Sequence, residues 1–154
     1  MNTDELKAIT RRFTELVWNE RDMASIPDLV TADITLHIGG GTFSGADMMS
    51  PIAAQWHGPF PDLHAEILQQ VAEGDRVVDY VLFTGHHSGE AFHPGLFRAR
   101  GLPPIPATSA EIEFTQMSIS RLENGKIAEI WEDFDRIRLW MQLGVTLNVP
   151  GGDK

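Results

Sequence analysis

Apolar residues recur at helical spacing in the first part of the chain and alternate with polar residues through most of the second. Leu6, Ile9, Phe13, Leu16 and Val17 form one stripe and predict an N-terminal helix. Thr3 is placed to cap it, and Asp4 and Glu5 fall in the first turn, where the helix dipole favours negative charge. A short second helix is predicted over Ile26 to Val30, with Pro27 near its start. Asp33 to Ile38 alternates polar and apolar and predicts a half-buried strand that ends at Gly39-Gly40-Gly41. Gly45 to Trp56 is moderately helical, and Pro59 and Pro61 stop it.

Four strands are expected after that. Leu63–Val71 and Val77–Thr84 are joined by the turn Glu73-Gly74-Asp75-Arg76. Ile112–Leu122 and Ile127–Phe134 are joined by Glu123-Asn124-Gly125-Lys126, whose Asn-Gly pair is a hairpin signal. Gly89 to Thr108 is irregular and rich in proline and glycine. Loops of that length are usually covers or mobile segments. Ile137, Leu139, Trp140 and Leu143 suggest a closing turn of helix, and Leu147 to Lys154 reads as a tail. Helices followed by a run of strands argue an α+β fold, with one domain over 1–146 and a flexible tail over 147–154.

Composition narrows the function classes. The 154 residues carry a formal net charge of -10, so a polyanionic nucleic acid would be repelled. No D-x-D-x-D-G calcium loop accompanies the acidity. There is no cysteine, which excludes disulfides, thiolate metal sites and cysteine nucleophiles, and fits a cytoplasmic protein. The N-terminus lacks a signal-peptide core, and no apolar run is long enough for a membrane span. Nucleophile-elbow, dinucleotide and P-loop motifs are missing.

Several residues are candidates for chemistry. On the last strand Trp131, Asp133 and Asp135 share one face, and Ile130, Glu132 and Phe134 the other. Asp135 also directly precedes the closing helix, where an Asp commonly serves as a cap. His37 alternates with Asp33 and Thr35 on the first strand, either as a polar surface residue or as a partner of a substrate oxygen or of a carboxylate. His86 and His87 point to opposite faces of a regular strand, so they cannot share one metal, and no other His pair has metal spacing. Phe83 and Phe114 fall on buried elements, and Trp56, Tyr80 and Trp131 are expected to reach a cavity. Tyr80 is the only phenol available to an oxyanion.

The second half also carries a resemblance. Val71 to Val78, Phe83 to Glu90, Gly101-Leu102-Pro103-Pro104 and above all Arg121 to Asp135 with Gln142-Leu143-Gly144 resemble the SnoaL-like polyketide cyclase and ester cyclase group. The likeness implies a nuclear-transport-factor-2-like fold: a cone-shaped α+β barrel with N-terminal helices packed on a curved, mainly antiparallel sheet. It also implies cofactor-independent acid–base chemistry in an apolar pocket, with Asp135 as the acid/base on a small carbonyl substrate. His37 and His87 would assist, and Trp56, Tyr80, Phe83, Phe114 and Trp131 would line the pocket. No metal or organic cofactor is expected, and the expected partners are a small apolar ligand and a second copy of the chain. Ala91 to Arg100 lengthens the family's usual link and adds Arg98 and Arg100, so the cover and its substrate are expected to differ. A non-catalytic binding or dimerisation module, or an epoxide-hydrolase-like variant, stays open beside the cyclase reading.

Overall fold

A computed structural model describes residues 1–151; the last three residues of the expected tail, 152–154, lie outside the described residues. Helix α1 spans Thr3–Phe13. Its cap is Asn2, one residue earlier than expected: the Asn2 side chain accepts from the Glu5 N–H, and Glu5 reaches back to the Asn2 N–H. This reciprocal arrangement satisfies two otherwise unpaired donors, which Thr3 could not do from inside the helix. The helical run continues through Thr14–Asn19 as a wider π turn, and α2 spans Ile26–Leu29.

Strand β1 (Val30–Ile38) starts earlier than the alternation suggested, because Val30 pairs with Ile127. Next come β2 (Gly41–Ser44) and α3 (Met49–His57), then β3 (His64–Glu73) and β4 (Arg76–His86). Helix α4 (Gly95–Ala99) lies in the long link and is followed by β5 (Glu111–Glu123), β6 (Lys126–Phe134) and α5 (Arg136–Gln142). The sheet order is β2-β1-β6-β5-β4-β3. Only β1 and β6 run parallel, and every other neighbouring pair is antiparallel. The α+β expectation holds, with a sheet that is mixed and open at both edges. Neither β2 nor the parallel pairing was foreseen, since partner choice between distant strands leaves no local periodicity.

The helices cover one face of this sheet. Phe13, Val17, Ile26 and Leu29 pack with Ile34 and Leu36 of β1 and Ile127 and Ile130 of β6. A second cluster joins Phe60, Phe83, Phe92, Ile112 and Phe114 to Leu139 and Leu143 of the closing helix. One buried polar group interrupts the inner face of β4: Asp79 Oδ1 accepts from Gln70 (2.7 Å) and from Thr10 (3.3 Å). Burial raises its pKa, and the two hydrogen bonds pull the other way. Asp79→Asn keeps an Oδ1 acceptor and removes a charge that burial disfavours, so its melting temperature at pH 7 is expected to be unchanged or higher. Asp79→Ala leaves both donors without their partner and costs about 1–3 kcal/mol. An equal loss in both variants would mean that the charge itself holds the cluster together.

The long link is anchored rather than loose. Gly89 passes so close to Gly58 that an added Cβ would lie 2.0 Å from the Gly58 carbonyl oxygen. Only glycine permits this crossing, which ties the link to the end of α3 through Gly89 N–H to Pro59 O and Glu90 N–H to Gly58 O. Phe92 and Ile105 then exchange two backbone hydrogen bonds of 2.8 Å and draw the ends of the segment holding α4 together.

Candidate functional site

Between the helices and the inner face of the sheet lies a hollow. Its mouth is a cavity of about 360 Å³ bounded by Ile38, Ile52, Trp56, Phe92, Phe134 and Trp140, among others. That size suits a small organic ligand. Inward, the same Ile38, Ile52, Trp56 and Phe134 border a void of about 20 Å³ that also touches Phe83, Phe114 and Glu132. Behind it a second void of about 20 Å³ is lined by Glu132, Asp79, Thr10, Thr14, Ser118 and Ser120, among others. Each small void has room for about one water. Glu132 therefore borders both an apolar void toward the mouth and a polar one behind.

Glu132 stands out electrostatically. Its side chain projects from the inner face of β6, between Ile130 and Phe134. Among the described residues no side chain or backbone group donates a hydrogen bond to its carboxyl, and burial pushes its pKa from 4.5 up to about 7. The charge of Arg136 pulls in the opposite direction but does not outweigh the burial. Desolvation disfavours the charged form, so near neutral pH this carboxyl is split between its two states.

The expected site residues divide by face. Trp56, Phe83 and Phe114 line the hollow. Asp135 does not enter it: the side chain is exposed and accepts from the Arg138 N–H at 3.1 Å, capping α5. His37 and Trp131 lie on the outer face, where β1 and β6 pair them directly and their rings stack at 5.2 Å. His37 Nε2 is 2.9 Å from Glu129 Oε1, and the other Glu129 oxygen accepts from Arg121 at 3.1 Å. Tyr80 is also on the outer side of β4, opposite to the buried Asp79 and Val81. The corrections at His37, Trp131 and Tyr80 share a cause. Their apolar neighbours (Leu36, Ile130 and Val81) pack into the core on the inner face, so strand alternation turns these three outward.

His87 is inside but is no wall of the hollow. It is fully buried against Phe60 and Phe92. Its Nδ1 lies 3.1 Å from Thr108 Oγ1 and accepts from the Thr108 N–H at 3.4 Å. That leaves Nε2–H to donate to the Glu90 carbonyl at 3.2 Å. Burial lowers its pKa, which favours the neutral ring that this bonding needs. The ring pins the base of the link and has no nitrogen left for a ligand. Glu132 and Phe134 carry no site role in the sequence pattern, whereas Arg136 is one of four arginines (with Arg98, Arg100 and Arg121) that could supply a guanidinium to an epoxide-hydrolase-like site. The available signal was a carboxylate flanked by Ile130 and Phe134 on the face that carries the core.

A larger depression of about 570 Å³ lies outside, bordered by His37, Thr42, Val78, Met117, Ile119 and Trp131. Its His37 and the neighbouring Glu129 are paired, and Glu129 is held below its usual pKa chiefly by the His37 hydrogen bond. The hollow, by contrast, keeps an unpaired carboxyl. No group of three or more potential metal ligands occurs among the described residues. Among them, no helix is long and apolar enough to cross a membrane.

A family model described as SnoaL-like polyketide cyclase matches residues 8–143. No curated protein matches the chain. Among solved structures, TsrD from Streptomyces laurentii superposes with a TM-score of 0.78 at 21% identity, covering 95% of this chain and 99% of that one. AclR from Streptomyces galilaeus, described only provisionally as a hydroxylase, gives 0.77 at 26% identity over 97% of this chain and 87% of its own. A SnoaL-like polyketide cyclase from Agrobacterium tumefaciens gives 0.71 at 18% identity, covering 94% and 100%.

Proposed function

The chain belongs to the SnoaL-like polyketide cyclase family, and from that premise we propose that it closes a ring in a small carbonyl compound held in the hollow, with Glu132 as the acid/base. The observation that carries this reading is the unpaired Glu132 carboxyl at the inner end of an aromatic-walled hollow, with its pKa raised to about 7. A group with a pKa near the working pH can both take and return a proton.

The steps balance without a further reactant. The Glu132 carboxylate removes a proton from a carbon alpha to a carbonyl, leaving an enolate. The enolate carbon attacks a second carbonyl of the same molecule, forming one carbon–carbon bond and an alkoxide. The alkoxide recovers the proton from Glu132. The reaction is an isomerisation, and the walls supply a folded near-attack shape. Asp135 was the carboxylate that the family resemblance suggested; its capping position moves the role to Glu132 in this proposal. A carbon-13 titration of the glutamate carboxyls tests it. One carboxyl titrating near 7 and absent from Glu132→Gln supports the reading, and a Glu132 that titrates like an exposed carboxyl removes it.

The reading extends to a cytoplasmic homodimer. Met117 and Ile119 on the outer face of β5 remain 57% and 40% exposed, an apolar strip that a second copy would cover. Sedimentation at micromolar concentration is expected to give a dimer that Ile119→Glu dissociates. A monomeric wild type would count against it.

A further inference from the structure

We propose that the mouth of the hollow takes a small organic carboxylate, its two oxygens held by the free edge of the Arg136 guanidinium, with Arg98 adding a second positive charge at the same mouth. This deepens the proposed function by naming a substrate class, and it rests on that reading only in placing the substrate in the hollow.

Charge sorting is the first observation. The chain has 22 acidic and 12 basic residues, yet no Asp or Glu lines the mouth, and Arg98 and Arg136 do. An anion approaching the protein meets repulsion almost everywhere else. The second observation is the state of Arg136. Its guanidinium carbon lies 4.2 Å from the centre of the Phe134 ring, so the plane is held against the wall of the hollow. The side chain is only 27% exposed, yet among the described residues its guanidinium makes no hydrogen bond. Asp133 Oδ1, the nearest carboxylate oxygen, is 3.9 Å away on a side chain that is itself 93% exposed. A guanidinium has five N–H donors, and those of Arg136 are open to solvent or to a ligand at the mouth, not taken up by the protein.

The surroundings leave space for this guanidinium. An added Cβ on Gly39 would come within 3.1 Å of Arg136 Nη2, so a larger residue there would push the guanidinium aside. Arg98, on α4, donates to Gln55 Oε1 at 3.1 Å. That partner is neutral, so the tether positions Arg98 without cancelling its charge. A guanidinium edge matches the two oxygens of a carboxylate in a paired, planar contact. Phe134 and Trp56 beside it suit the apolar body of the same molecule.

Calorimetry with 2-naphthoate and its neutral counterpart 2-naphthylmethanol tests the inference on the intact chain. The wild type is expected to bind the naphthoate about tenfold or more tightly than the alcohol. That preference should shrink between about 20 mM and about 200 mM salt. Arg136→Gln should abolish the preference while keeping the affinity for naphthylmethanol, which also reports that the hollow is folded. Arg98→Gln should reduce the preference in part, and Arg100→Gln, outside the mouth, should leave it intact. Equal affinity for the two probes, no binding of either, salt-independent naphthoate binding, or equal loss of both probes in Arg136→Gln would each overturn the inference. Glu132→Gln is expected to retain the preference. A Glu132→Gln variant that keeps both its proton chemistry and the preference would therefore sink the proposed function alone, and one that loses the chemistry while the wild type shows no preference for the naphthoate would sink the carboxylate site alone.

Discussion

Glu132→Gln is expected to slow proton exchange at the acidic carbon of a β-keto ester by about 10²–10⁴-fold relative to the wild type, the usual contribution of a positioned acid/base. Gln has nearly the same shape but cannot accept the proton, so binding should survive while the chemical step is lost. Deuterium incorporation followed by NMR reads the step without knowledge of the natural substrate. Asp135→Asn is the informative comparison. Its carboxylate already serves the Arg138 N–H, and an amide oxygen can accept the same hydrogen bond, so the exchange rate should barely change. The wild-type rate should rise with pH and level off above about 7, because the base form of Glu132 accumulates there. A rate that follows Asp135 instead, or a flat profile across this range, would transfer the chemistry elsewhere.

The same substitution is expected to stabilise the protein at alkaline pH. The folded pKa of Glu132 lies above its unfolded value of 4.5, so the fold favours the protonated carboxyl. The stability tied to that proton is fully present below 4.5 and is lost as the pH rises through about 7. A displacement of this size corresponds to roughly 3 kcal/mol at pH well above the folded value. Glu132→Gln carries no such charge, so it should unfold at higher denaturant than the wild type at pH 8, and the gap should close near pH 4. Asp62 and Glu129 have lowered pKa values and act in the opposite direction, favouring the fold at higher pH. Both variants share those groups, so the difference between them isolates Glu132. Denaturant melts at several pH values check this, and equal stability at pH 8 would show that the carboxyl is solvated after all. The combination of slower chemistry and a firmer fold is what a strained functional group predicts.

Local patterns made much of the architecture readable. The stripe from Leu6 to Val17 marked the first helix, and the alternation through β4, β5 and β6 marked those strands because side chains on a strand alternate faces. The Asn124-Gly125 turn joined β5 to β6 as its residue types require. The stretch from Gly89 to Thr108 was legible as unusual, but its anchoring through Gly89, His87 and the Phe92–Ile105 pair was not. Each of those contacts depends on a partner that is distant in the chain or on an approach of backbones that leaves no period.

The sequence by itself determined the α+β class, most of the strands, the apolar stripes and the aromatic supply of Trp56, Phe83 and Phe114. Periodicity and residue type suffice for these, since they are local properties of the chain. Only the tertiary structure decided which face of β6 turns inward. The packing of Ile34, Leu36 and Ile130 under the helices, with β1 parallel to β6, sends Glu132 into the hollow and Trp131 and His37 out of it. A strand's alternation is symmetric between its two faces, and only the element packed against one of them breaks that symmetry.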